Sequence, residues 1–194
     1  MVGRGAAHQQ ARSLASSLSR PSAGPYLGAG RHPVGQTGRV ELGLFDQVGD
    51  ALLGMVPDGL GRFHLQARQW GIKAWFDAET CPREHYEAQV IAPRHVAGAE
   101  VVALEVGFHC EHPKSADNVA AMAPIHRSEE VWRAALGPQA ESGDFLGRPG
   151  WQRVSEAWLD PDLGDPELCF EIADRLVDYI TVLQPLRSST AARP

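Results

Sequence analysis

The chain has 194 residues, enough for one domain with a real core and too few for two comfortable ones. With 43% apolar and 22% charged residues and a formal charge of −6, it has the composition of a globular protein. No apolar run approaches the ~20 residues that cross a bilayer, which excludes a membrane-spanning helix.

The charge is unevenly placed. Residues 1–39 hold five arginines and no acid, while the remainder holds thirteen basic and twenty-four acidic side chains, so +5 precedes −11. An acidic domain repels phosphate backbones, so neither a nucleic acid nor a membrane is an expected partner. Of eighteen basic residues only Lys73 and Lys114 are lysines, and this bias, with abundant Ala, Gly and Pro, suggests a GC-rich bacterial genome. Three cysteines, Cys81, Cys110 and Cys169, form no C-x-x-C pair. Their odd number points to reduced thiols and a cytoplasmic location rather than a disulfide framework.

Residues 1–39 hold few large apolar side chains and are expected to be a disordered basic tail or a mis-assigned start, with the true beginning near Val34 or Val40. An Arg- and Ser-rich, acid-free start also resembles a transit peptide, and a tail for acidic partners is the third option. A single α+β domain over residues 40–186 follows, with 187–194 a disordered C-terminal tail.

Order is expected from Leu42. Leu44, Phe45, Val48 and Leu52 recur on one helical face, and Pro57-Asp58-Gly59 ends that helix. A β-meander comes next. Its first two strands alternate Phe63 and Leu65 with His64 and Gln66, then Ile72, Ala74 and Phe76 with Lys73, Trp75 and Asp77. Its third runs near His85–Ala92 and its fourth near Glu100–His112. A helical region from about Ser115 to Leu136 is interrupted by Pro124, giving a kink or two helices, the second capped by Ser128. Gly143 to Gly150 reads as a tight loop and Trp151–Trp158 as a fifth strand. Asp165-Pro166-Glu167 starts the last helix, Leu168, Ile172, Leu176, Ile180 and Leu183 form its apolar stripe, and Pro185 ends it. The order α-ββββ-α-β-α describes an antiparallel meander with helices packed on one face. It resembles the type III secretion chaperone-like fold in element order, which by analogy implies a binding role.

The residues that could carry chemistry lie on strands three and four. His85 and Glu87 share one face, as do Glu105, His109 and Glu111, with Val102, Leu104, Val106, Phe108 and Cys110 opposite. A hairpin centred near Val96 would set Glu87 opposite Glu105 and His85 opposite Gly107, with His109 diagonal to His85. Two carboxylates face to face require a proton, a cation or an arginine such as Arg68 or Arg83 between them. His85, Glu87, Glu105 and His109 are therefore the candidate polar cluster, and a divalent metal is the cofactor they would take. A salt-bridged, solvated face is the plainer reading of the same residues. Trp75 falls on the polar face of strand two, where it would cover the cluster or lie against arginines. Cys169, in the first turn of the last helix, reads as packing, and Ser155 has no visible base.

The blocks E-H-Y-E-A-Q-V-I (Glu84–Ile91), L-E-V-G-F-H-C-E-H-P (Leu104–Pro113) and W-Q-R-V-S-E-A-W (Trp151–Trp158) resemble an uncharacterised family of actinobacterial hypothetical proteins. The resemblance spans about Leu42 to Leu186 and implies no particular activity. With no P-loop, G-x-S-x-G, G-x-G-x-x-G or H-E-x-x-H, the expected function is a non-catalytic module that binds a protein partner or a small ligand. The alternative is a metal-dependent enzyme, a hydrolase, working through the His/Glu face.

Overall fold

The computed structural model describes residues 43–188, so the expectations for residues 1–39, Leu42 and residues 189–194 fall outside it. Helix α1, Leu44–Met55, buries Phe45, Val48 and Leu52, the spacing that its sequence carries. Strands β1 (Phe63–Arg68), β2 (Gly71–Phe76), β3 (Glu84–Ile91) and β4 (Ala103–Cys110) form the expected meander. Helices α2 (Ser115–Arg127) and α3 (Glu129–Leu136) follow, then β5 (Glu141–Phe145), β6 (Arg148–Leu159) and α4 (Leu168–Ser188). The six strands make one antiparallel sheet in the order β1-β2-β3-β4-β6-β5. Among the described residues no helix is long and apolar enough to cross a membrane.

The α+β arrangement agrees with the sequence reading, and four local details differ. The segment read as a tight loop, Gly143 to Gly150, takes in the end of β5 and the start of β6, which pair through a turn at Leu146 and Gly147. Glu-Ser-Gly-Asp-Phe has a weak strand pattern because β5 is a polar edge strand, held by one neighbour. The break between α2 and α3 falls at Ser128, while Pro124 lies inside α2. Ser128 is the boundary residue, although its hydroxyl makes no capping hydrogen bond. Pro185 does not end α4, which runs on to Ser188, two residues beyond the expected domain end at Leu186. Arg187 there pairs with Glu84 at 2.9 Å and lies over the Phe108 ring, which holds the last turn down.

One sheet face makes the core. Ile72, Tyr86, Ala88, Leu104, Val106, Phe108 and Val154 project from it against α1, α2 and α4, with Ile172, Leu176 and Ile180 opposite. A sheet with helices on one side ordinarily leaves its other face wet. Here every residue of β4 is buried, on both faces. The reason is curl. Phe145 sits on β5, two strands from β4, yet its ring packs 5.0 Å from that of His109, and Trp151 backs it at 6.0 Å. The ladder slips between Asp144 and Phe145, the kind of irregularity that bends a strand. At the far tip, Gly147 lies against the His95 ring of the β3–β4 connection. The polar face is thereby the inside of a cup.

Candidate metal centre

Register decides which polar side chains meet in this cup. β3 and β4 pair about Ala97, not Val96, so His85 lies opposite His109, Glu87 opposite Gly107 and Gln89 opposite Glu105. The expected pairing was two residues out. A shift of two keeps every side chain on its face, so the faces were right and the partners were not. Glu87 does not oppose Glu105, and neither Arg68 nor Arg83 stands between them. Arg68 turns to Gln66, Arg83 is exposed, and His109 fills the place between the two carboxylates.

Gly107 explains why four long side chains can converge. It sits between Glu87 on β3 and Ser155 on β6, and leaves the middle of the cup without a side chain. Into that space come His85, Glu87, Glu105 and His109, all buried, with Glu105 and His109 at 0% exposure. The four predicted residues are thus brought together. His109 Nε2 lies 2.9 Å from Glu105 Oε1, and its Nδ1 lies 3.2 Å from Glu87 Oε2. The second is an ion-pair contact off line for a hydrogen bond, so Nδ1 is a buried polar atom without a hydrogen-bond partner. His85 Nδ1 reaches the Pro82 carbonyl at 3.0 Å. A carbonyl only accepts, so Nδ1 carries a proton, and Nε2, 2.8 Å from the Lys73 ammonium, which only donates, presents a lone pair to the cup.

That lone pair creates the central fact of the site. Nε2 of His85 is 3.2 Å from Glu87 Oε2 and 3.8 Å from Glu111 Oε1, so three acceptors converge with no proton of their own to share. Acceptors this close attract only through a cation. Lys73 provides one: its Nζ donates to His85 Nε2 at 2.8 Å and lies 3.2 Å from carboxylate oxygens of Glu87 and of Glu111. One donor atom from each of His85, Glu87, His109 and Glu111 lies within 4.8 Å of the others. The compact set therefore has Glu111 where the sequence suggested Glu105. Glu105 instead holds the far nitrogen of His109, as Pro82 holds that of His85, an arrangement that orients imidazoles toward a metal.

The network continues across β6. Arg153 Nη1 donates to Ser155 Oγ at 2.5 Å, and the Ser155 hydroxyl bonds Glu105. Burial alone would raise the Glu105 carboxyl, but the His109 charge and the bonds from His109 and Ser155 hold it low. Glu87, also buried, is held well below the usual carboxylate range by His109 and by the Lys73 charge. Burial disfavours a charged His109, yet the Glu105 charge and hydrogen bond, with Glu87 beyond, push it up to about 10. Lys73, His109 and Arg153 then balance Glu87, Glu105 and Glu111 in charge.

Lys73, Glu111, Arg153 and Ser155 were not in the predicted cluster. Alternation had put Lys73 on the polar face of strand two and Glu111 on that of strand four, so the signal existed. What it lacked was the register that joins them. Trp75 lies one step beyond Lys73 on the same face and is buried, stacked on His64 at 5.7 Å rather than on arginines. Its Nε1–H donates to the Ala78 carbonyl. Cys169 is packed in the core as expected. A cleft of about 270 Å³ opens onto Lys73 and Glu87 from the β2–β3 side, walled by Arg68, Trp70, Gly71 and Gln89. No family model matches this chain, and neither the curated proteins nor the solved structures offer a match.

Proposed function

We propose that the protein is a non-catalytic ligand-binding module whose ligand is a divalent transition-metal ion, held by His85, Glu87, His109 and Glu111. The observation that carries this reading is the convergence of acceptors around one point, with Nδ1 of His109, which makes no hydrogen bond, beside it. Two imidazoles and two carboxylates suit zinc, and also manganese or iron, and disfavour calcium or magnesium, which take oxygen ligands. A cation bound at Nδ1 of His109 would take the place of the proton there, while Glu105 keeps Nε2.

Closure supports binding rather than turnover. Metal sites with four protein ligands are ordinarily structural, whereas catalytic ones keep a position for water or substrate. All four candidate ligands here are protein groups, His85 and His109 are buried, and Phe145 of β5 covers the His109 ring. The hydrolase alternative would need an open position on the metal, and the cleft reaches only the Lys73 and Glu87 edge.

The test is metal content. Full-length protein incubated with Zn²⁺ or Mn²⁺ and dialysed should retain about one ion per chain, and His85→Ala and Glu111→Gln should each lose it. Wild type retaining no more metal than these variants would refute the reading.

A further inference from the structure

The cup already contains a cation. Lys73 Nζ sits among His85, Glu87 and Glu111, touching three of the acceptor groups that the cation-binding reading assigns to a metal. An ammonium and a metal ion cannot share that place. The two are alternatives for one position.

Lysine has properties that suit an occupant able to leave. Its charge is compact, its three donors rotate, and its four-carbon stem reaches in more than one direction. Arginine, which outnumbers it sixteen to two in this chain, carries a rigid planar fork instead. The cup's other basic residue, Arg153, is tied to Ser155, Glu141 and the Asp144 carbonyl on the far side. Lys73 has no such tie outside the acceptor set among its hydrogen bonds and ion pairs described above. Beside it lies the cleft walled by Arg68, Trp70, Gly71 and Gln89, with the exposed Trp70 as an apolar surface for a displaced stem.

From this we infer that Lys73 is an internal competitor for the cation position, and that a divalent ion enters by displacing its ammonium into this cleft. The inference rests on the cation-binding reading and adds the regulation of that site. With the lysine seated, only a fraction of molecules is ready for metal, and apparent affinity falls by that fraction. The lysine thus sets a threshold of metal concentration below which the cup stays closed on its own charge.

Two measurements on the full-length chain test this. In the first, Zn²⁺ affinity is measured by competition with a chromophoric chelator for wild type and Lys73→Met, which keeps the stem and removes the charge. The variant should bind about tenfold tighter or more. In the second, wild type is pulsed with an amine-acylating reagent with and without saturating Zn²⁺, and each lysine is read by mass spectrometry. Lys73 labelling should rise several-fold with metal, while Lys114, exposed at the start of α2, serves as the unchanged control. If wild type binds Zn²⁺ while Lys73→Met binds no tighter and Lys73 labelling is unchanged, the exchange is overturned and the metal site stands. If only the variant binds, Lys73 does hold the position, and metal binding by the wild type is overturned. If neither binds, both fail together.

Discussion

Replacing Gly107 by alanine tests whether the cup depends on the close approach of β4 and β6. A Cβ built at Gly107 would meet Ser155 Cβ at 2.3 Å, the Val154 carbonyl oxygen at 2.3 Å and Ser155 Cα at 2.5 Å. Two of these three atoms are backbone, so no rotamer change relieves them. Reaching even 3.0 Å, a distance real Cβ atoms hardly ever go below, requires the strands to part by 0.7 Å. Neither strand is free to move, because Phe108 on one and Val154 on the other are fully buried in the same core. Overpacking of this kind costs ~1–3 kcal/mol. Strained β4–β6 ladder bonds add to it, at ~0.5–1.5 kcal/mol each. A total near 3 kcal/mol, with a urea slope of about 2 kcal/mol per M, lowers the unfolding midpoint by ~1.5 M. Gly54→Ala is the matched control: it lies in exposed helix with nothing within 4 Å, and should stabilise by ~0.5–1 kcal/mol. Urea titration followed by circular dichroism measures both. A Gly107→Ala protein within about 0.5 kcal/mol of wild type would show that the strands can separate freely, and the account of the cup would be wrong.

Phe108→Ala, removing a ring packed between Tyr86 and the Arg187 guanidinium, should cost ~3–5 kcal/mol by the same titration, and a cost near zero would reverse the assigned strand faces. Glu105→Gln leaves His109 and Arg153 short of a buried counter-charge and should cost ~3–5 kcal/mol; adding His109→Gln should recover part of it, and strict additivity would deny their coupling. Asp160 accepts backbone N–H bonds from Val102, Glu100 and Val101, which hold its carboxyl below the usual aspartate value. A lowered folded value means that this contribution is complete above the unfolded pKa and is lost as pH falls through the folded one. Melting curves against pH should therefore run closer to flat in acid for Asp160→Asn, and parallel curves for variant and wild type would contradict the role.

The period of two in β3 and β4 was enough to put His85, Glu87, Glu105, His109 and Glu111 on one face, because the apolar sets Tyr86–Ala88 and Leu104–Phe108 admit no odd shift. It could not tell a hairpin centred at residue 96 from one centred at 97. That choice depends on an eleven-residue connection, 92–102, containing a 3-10 turn at Pro93–His95, whose geometry leaves no alternation to read. The wrong choice set Glu87 against Glu105 and left Lys73 and Glu111 out of the cluster. Burial of the polar face was illegible for another reason. It comes from Phe145, on a strand whose polar sequence reads as loop, reaching across β6 to His109. The helices were clearer, since Phe45, Val48 and Leu52 or Ile172, Leu176 and Ile180 can share a face in only one way. Their ends were not, as Pro124 and Pro185 are both accommodated within helices.

X-ray absorption at the zinc edge of Zn²⁺-loaded full-length protein tests the central claim most directly. The account predicts a first shell of nitrogen and oxygen at ~2.0–2.2 Å with the outer-shell scattering of two imidazoles, and loss of one imidazole in His85→Ala. A bound zinc whose shell contains sulfur, or which shows no imidazole scattering, would contradict a site built from His85, Glu87, His109 and Glu111.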